Sequence, residues 1–126
     1  MTLKQLLFSP KGRIGRVQYI LFTLTILIIT LLIHTFFPNR VLLEKAPLDA
    51  ASLINFLLLL GVLVLHIMVT IKRFHDFNIT GYATMMLYAP YLGLLVLIAL
   101  ILYPGTDGDN RFGRAPGSKS EPGDEA

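Results

Sequence analysis

Three long stretches without Asp, Glu, Lys or Arg dominate this sequence, at residues 17–37, 50–71 and 82–103. Each is about twenty residues long, which at the 1.5 Å rise of an α-helix spans the roughly 30 Å hydrocarbon core of a bilayer. Of the 126 residues, 54% are hydrophobic and 15% charged, so a soluble fold of this size would leave large apolar patches in water. The sequence therefore predicts an all-α integral membrane protein with about three transmembrane helices.

The first stretch follows several basic residues, as the apolar part of a secretory signal peptide does. It is longer than such a segment, and residues 34–38 at its end offer no small-residue cleavage site. We interpret it as an uncleaved anchor.

The third stretch contains Pro90 and Gly93. Proline removes a backbone donor and kinks a helix, so we expect a kinked span over 82–103. The alternative is a re-entrant hairpin that turns near residues 89–93, with arms too short to cross the membrane.

The length fits one membrane domain, residues 1–116, and the polar composition after it predicts a disordered tail over 117–126. Lys and Arg cluster before the first span, so we expect a multi-pass protein with its N-terminus in the cytoplasm. Three spans would then place the C-terminal tail outside, which Arg111 and Arg114 disfavour. A re-entrant third stretch would return both arginines to the cytoplasmic side.

Several chemistries have no residues to support them. The chain has no cysteine, which excludes disulfides and thiolate sites, and it has no phosphate-binding loop or nucleophile elbow. His66 and His75 fall on opposite faces of one helix, and we expect His34 and His66 to be neutral and hydrogen-bonded between helices. We therefore expect no metal and no cofactor. The basic residues adjoin apolar sequence, which favours a membrane surface over nucleic acid as partner.

The first polar motif is Lys-Gly-Arg-Ile-Gly-Arg, residues 11–16, where the chain enters the first span. Arg13 and Arg16 are one helical turn apart, so a helix would direct both guanidinium groups at the same lipid phosphates. The alternative is a topology anchor without a specific ligand.

The second motif, residues 72–82, reads Lys-Arg-Phe-His-Asp-Phe-Asn-Ile-Thr-Gly-Tyr. Arg73 and Asp76 are three residues apart, which predicts a salt bridge on one helix. A proton-handling pair of His75 and Asp76 is the alternative, although adjacent helical residues do not face each other.

The third motif, residues 104–114, reads Pro-Gly-Thr-Asp-Gly-Asp-Asn-Arg-Phe-Gly-Arg. Its acidic residues suggest a calcium loop, but the twelfth position counted from Asp107 is Ser118, where a bidentate glutamate is required. We interpret the segment as a polar turn in which Asp and Asn side chains bond the backbone.

Together the three motifs resemble the bacterial domain-of-unknown-function 805 family of YhaH-type inner-membrane proteins. The resemblance covers residues 8–116 and implies a bacterial inner-membrane protein, without an established activity. The matching positions are Gly12, Arg13, Arg16 and Tyr19, then Arg73, His75, Asp76 and Gly81, then Pro104, Gly105 and residues 110–113.

Our hypothesis is a non-enzymatic membrane module that binds anionic lipid headgroups or a partner protein through the ends of its spans. Membrane lipids are the expected partners, with a homo-oligomer or another membrane protein as further candidates. An oligomeric transporter or channel subunit is the alternative, suggested by the three histidines. An enzyme acting on lipid-linked substrates has no nucleophile, metal cluster or cofactor loop in its support. The candidate binding residues are Arg13, Arg16, Arg73, His75, Asp76, Asn110 and Arg111.

Overall fold

The computed structural model describes residues 2–117, and within them the protein is helical, with one isolated β-bridge between Asn110 and Gly113. The tail predicted over 117–126 lies, apart from its first residue, outside the described residues. The elements are α1 (Leu3–Phe8), α2 (Arg16–Phe36), α3 (Arg40–Glu44), α4 (Ala50–Asp76), a 3-10 helix (Gly81–Tyr88) and α5 (Leu92–Leu102).

Two of these helices, α2 and α4, are long and apolar enough to cross a membrane, with 21 and 27 residues. Only 11% of the most apolar part of α2 and 17% of that of α4 is buried within the protein. The outward faces carry Leu, Ile, Val and Phe, as a lipid-exposed surface requires. The first two predicted spans therefore correspond to α2 and α4.

Side-chain caps define the start of α4 and its junction with α3. Oδ1 of Asp49 accepts the backbone N–H of Ser52 at 2.8 Å, and the hydrogen bonds from Ser52 hold the pKa of Asp49 below its ordinary value. Oγ of Ser52 accepts the N–H of Arg40 at 3.1 Å. These bonds fix α3 against the first turn of α4.

The other end of α4 closes on an asparagine. Asn78 adopts φ 60°, and the N–H groups of Asn78 and Ile79 donate to the carbonyls of His75 and Phe74, both at 3.0 Å. This is a Schellman motif, which satisfies the last helical carbonyls and reverses the chain. The 3-10 helix consequently runs back along α4.

The third apolar stretch forms a hairpin, residues 81–102, made of the 3-10 helix and α5. The 3-10 helix starts against Ile71 and ends where Oη of Tyr88 lies 3.4 Å from Nδ1 of His66. After the turn, α5 returns until the carbonyl of Leu100 accepts Nε of Arg73 at 2.9 Å. Both ends of the hairpin therefore lie beside the last turns of α4.

This geometry differs from a single kinked helix over 82–103 and has the form of the re-entrant alternative. Pro90 lacks an N–H and stands at the turn, where the N–H of Leu92 donates to its carbonyl at 2.6 Å and Tyr91 has φ 61°. Such a three-residue turn with positive φ is rare and interrupts the helix completely. The 11 residues of α5 then measure about 16 Å, half of a hydrocarbon core.

The hairpin brings three distant segments together at what we call the basic end, residues 2–16, 72–80 and 103–117. Residues 37–49 form the opposite end. A small buried core adjoins the basic end and consists of Ile14, Tyr19, Val69, Phe74 and Leu100.

The tight hairpin makes Gly93 sensitive to substitution. A Cβ at Gly93 would collide with the backbone carbonyl of Leu87, whereas a Cβ at Gly61, in the middle of α4, would meet nothing within 4 Å. We expect Gly93→Ala to lower the free energy of unfolding by about 1–3 kcal/mol, as overpacking does. Gly61→Ala should leave it unchanged or raise it by up to about 1 kcal/mol. Thermal unfolding of both variants in detergent measures the difference, and equal stabilities would contradict the hairpin.

Candidate functional site

A buried triad of charges lies at the centre of the basic end. Oδ1 of Asp76 accepts Nη2 of Arg13 at 2.9 Å and its Nε at 3.1 Å, while Oδ2 accepts Nη1 of Arg73 at 2.5 Å. The two arginine side chains are 0% exposed and the carboxylate 5%. One carboxylate thus joins two guanidinium groups from segments sixty residues apart in the chain, which leaves one net positive charge buried.

Main-chain carbonyls of the third motif complete the shell around Arg13. Nη1 donates to Gly108 at 2.7 Å and to Gly113 at 3.2 Å, and Nη2 donates to Thr106 at 2.8 Å. Together with the two bonds to Asp76, these bonds use all five N–H groups of the guanidinium. Arg13 therefore has no donor left for an external phosphate.

Arg73 binds the return arm of the hairpin in the same manner. Its guanidinium donates to the carbonyls of Leu100 at 2.9 Å, Tyr103 at 2.7 Å and Ile14 at 3.4 Å. Its plane lies 4.7 Å from the ring centre of Phe77. The end of α5 is thereby fixed to the end of α4.

Gly105 lets the chain pass directly over Asp76. The N–H of Thr106 donates to the carbonyl of Asp76 at 2.7 Å, and a Cβ at Gly105 would collide with the Asp76 carboxylate. A side chain at this position would separate the third motif from the triad.

His75 makes its contacts with residues outside the triad. Its Nδ1 is 3.1 Å from the carbonyl of Gly12, and its ring stacks on Phe112 at 4.0 Å with an interplanar angle of 3°. Because a carbonyl only accepts, Nδ1 carries the proton in this contact. Asn110 donates to the carbonyl of His75 at 2.8 Å, and Arg111 covers the Phe112 ring at 4.7 Å.

Arg16 and Arg111 remain exposed at the surface of the basic end. Arg16 donates to the carbonyl of Leu102 at 3.3 Å, and Arg111 to that of Asn78 at 3.1 Å. Arg16 also lines an open cleft of about 480 Å³ between the first turn of α2 and residues 104–108 and 115–117.

The structure brings the predicted candidates together and gives them different environments. The salt bridge predicted between Arg73 and Asp76 is confirmed. Arg13 lies outside α2, which begins at Arg16, so the two arginines do not share a helical face. His75 bonds a backbone carbonyl and no contact joins it to Asp76, so the geometry assembles no acid–base pair.

Lys72 is a buried cation that the sequence reasoning missed. Its Nζ donates to the carbonyl of Gln5 at 2.7 Å and also to that of Leu6, both in the C-terminal turn of α1. The lysine thereby caps the C-terminus of α1 and holds it against α4. Its position in one run with Arg73 gave no separate signal for this role.

The three histidines occupy separate places. Nδ1 of His34 lies 3.2 Å from the side-chain nitrogen of Asn55, and His66 contacts Tyr88. Among residues 2–117 no three His, Cys, Asp or Glu side chains are grouped so that they could hold a metal ion.

Comparisons with known proteins place these features in a family. The profile described as "Protein of unknown function (DUF805)" matches residues 7–114. Inner membrane protein YhaI of Escherichia coli (strain K12) is 30% identical over 105 residues, which cover 83% of each chain, and YhaI of Escherichia coli O157:H7 matches equally. No solved structure matches.

The triad predicts an order of stabilities. Asp76→Asn leaves two buried guanidinium groups without a counter-charge and should cost about 3–5 kcal/mol, as breaking a buried ion pair does. Arg13→Ala leaves the neutral pair of Arg73 and Asp76 and should destabilise the fold less. The control Arg40→Ala, at the opposite end, should unfold like the wild type. Thermal unfolding in detergent gives the order, and an Asp76→Asn variant as stable as the wild type would refute it.

Proposed function

Since the chain belongs to the DUF805 family and has a homologue in the bacterial inner membrane, we propose that it is a non-enzymatic membrane module whose basic end binds anionic lipid headgroups. The uneven distribution of charge between its two ends carries this proposal. Within residues 2–117, the basic end holds eight Lys or Arg residues and three acidic residues, whereas the opposite end holds two of each. No charge lies between the ends, in residues 17–36, 50–71 or 81–102.

The asymmetry also supports an orientation. Lys and Arg near span ends favour the cytoplasmic side, where anionic lipids give the surface a negative potential. The hairpin returns Arg111 and Arg114 to the side of the N-terminus, so the whole excess of positive charge points one way. We propose that the basic end is cytoplasmic, which removes the conflict that three full spans would create.

The exposed and the buried cations of the basic end have different roles. Arg13, Arg73 and Lys72 are buried and bonded to the protein, so their role is to hold the segments together. Arg16 and Arg111 are exposed, and within residues 2–117 each donates to one protein carbonyl, so their guanidinium groups keep donors for a phosphate. The cleft beside Arg16 gives a headgroup a place next to the start of α2.

The short helix α1 adds an apolar contact to the same surface. Leu3 and Phe8 are each 68% exposed, and α1 lies against the end of α4, where the apolar spans meet the basic end. An interfacial helix places such side chains at the boundary of headgroups and acyl chains, with lysine toward water. Lys4, within α1, and Lys11, three residues after it, are both exposed, in keeping with this arrangement.

Paired double variants test the proposal with matched charge. Arg16→Ala/Arg111→Ala removes two exposed charges from the basic end, and Arg40→Ala/Lys45→Ala removes two from the opposite end. A basic residue near an anionic surface contributes about 1 kcal/mol, so the first variant should lose up to roughly 30-fold in its preference for anionic lipid at low salt. The second should keep the wild-type preference.

The measurement is the ratio of phosphatidylglycerol to phosphatidylcholine retained by each purified protein from mixed micelles of the two lipids, by native mass spectrometry. Raising the salt concentration should reduce the wild-type ratio, since surface electrostatics are screened. A ratio that stays unchanged in the Arg16→Ala/Arg111→Ala protein, or that falls equally in both variants, would rule out headgroup binding at the basic end.

A further inference from the structure

A stripe of polar side chains leads from the basic end into the apolar layer, between α2 and α4. On α4, Thr70 and His66 lie about one and two turns before Arg73, and on α2 Thr23 lies one turn after Tyr19. The stripes meet where Oη of Tyr19 and Oγ1 of Thr70 are 3.4 Å apart, and both residues are 0% exposed. A row of hydroxyl groups therefore extends from the buried side chain of Arg73 into the apolar layer.

The stripe ends inside the apolar layer. His66 lies six residues before Lys72, the first charged residue at that end of α4, which is about 9 Å along the helix, and it contacts Tyr88 near the tip of the hairpin. This distance is about a third of a hydrocarbon core of roughly 30 Å. An ionisable group at that depth is costly and points to function.

Three polar atoms in this region are buried and have no hydrogen-bond partner among the described residues: Oγ1 of Thr23, Oγ1 of Thr84 and Nε2 of His66. The exposed Thr25 and Thr35 on α2 behave differently, since each donates to the carbonyl four residues before it at 2.8 Å. The outward hydroxyls are thus satisfied by their own helix, while those in the interior need another partner.

The backbone at the tip of the hairpin also needs hydrogen-bond partners. It leaves helical geometry at residues 89–91, and Tyr91 is 91% exposed. Non-helical backbone at membrane depth is tolerated where protein buries it or where it lines a water-filled cavity. Water between the helices would supply the partners that these buried atoms lack, since one buried molecule makes about three hydrogen bonds.

We propose that α2, α4 and the hairpin hold a row of water molecules and protein hydroxyl groups, here called the file, that connects the basic end with His66 inside the apolar layer. The file gives the His66 ring access to protons from one side of the membrane only. Its ligand is water, and its fixed links are the hydroxyls of Tyr19, Thr23 and Thr70. The proposal is independent of headgroup binding, because none of these groups reaches the exposed surface of the basic end.

The absence of cysteine from the chain allows a clean accessibility experiment. His66→Cys places a thiol at the end of the file, and Val64→Cys places one at nearly the same depth on α4, where the native side chain is 45% exposed toward lipid. N-ethylmaleimide reacts with the thiolate, which forms only where water reaches the sulfur. In phospholipid vesicles we expect the His66→Cys protein to be labelled about tenfold faster or more, because its thiol ionises in water.

Adding Tyr19→Phe to the His66→Cys protein tests the route. The phenylalanine keeps the ring and removes the hydroxyl link, so labelling should slow. Equal labelling rates for His66→Cys and Val64→Cys would overturn the proposal. So would a Tyr91→Cys protein that forms disulfides between copies while His66→Cys stays inert, because a second copy would then bury the tip.

A measurement on the unaltered protein avoids any folding defect of the variants. In lipid bilayers, solid-state NMR with magnetisation transfer from water should show a signal at the His66 ring as well as at His75, which lies at the basic end. Transfer to His75 with none to His66 would show a dry interior and refute the file.

Discussion

The rest of the structure depends on the carboxylate of Asp76, the one acidic group of the triad. It pairs with two guanidinium groups that come from different segments of the chain. Arg73 comes from the same helix, and Arg13 comes from the segment before α2. Around them, the carbonyl of Ile14 and backbone carbonyls from residues 100–113 accept the other arginine N–H groups. A buried charge of this kind adds little stability by itself, since desolvation opposes it, but it permits few alternative arrangements of its partners. The triad thus specifies that the three segments of the basic end come together.

The shape of the apolar part follows from that requirement. A third span would carry residues 104–114 to the far side of the membrane, away from the triad. The hairpin instead turns at Pro90 and returns after about 16 Å, so the third motif reaches Asp76. The cost is an irregular turn within the apolar layer, which protein or water has to satisfy. One arrangement therefore produces both the basic end and the polar stripe.

The sequence predicts some of these features and leaves others open, for physical reasons. Charge-free length is enough for α2 and α4, and three-residue spacing is enough for the pair of Arg73 and Asp76. Hydropathy does not distinguish a span from a hairpin over 82–103, because both keep apolar side chains in lipid. Apart from Asp76, the acceptors around Arg13 are main-chain carbonyls. Every residue type has one, so no sequence motif identifies them. Lys72 stands in a basic run typical of a membrane surface, and only tertiary packing shows that it is buried.

The partners of Arg13 lie far apart in the chain, and this determines when its shell can form during synthesis. The guanidinium takes its last acceptors from Gly108 and Gly113, 95 and 100 residues later in the sequence. Both long helices are therefore synthesised, and can enter the bilayer, before Arg13 can find its complete set of partners. During that interval α2 and α4 can already make their apolar contacts and the polar contacts of His34 with Asn55 and of Tyr19 with Thr70. The shell around Arg13 closes only after the chain has been made as far as Gly113.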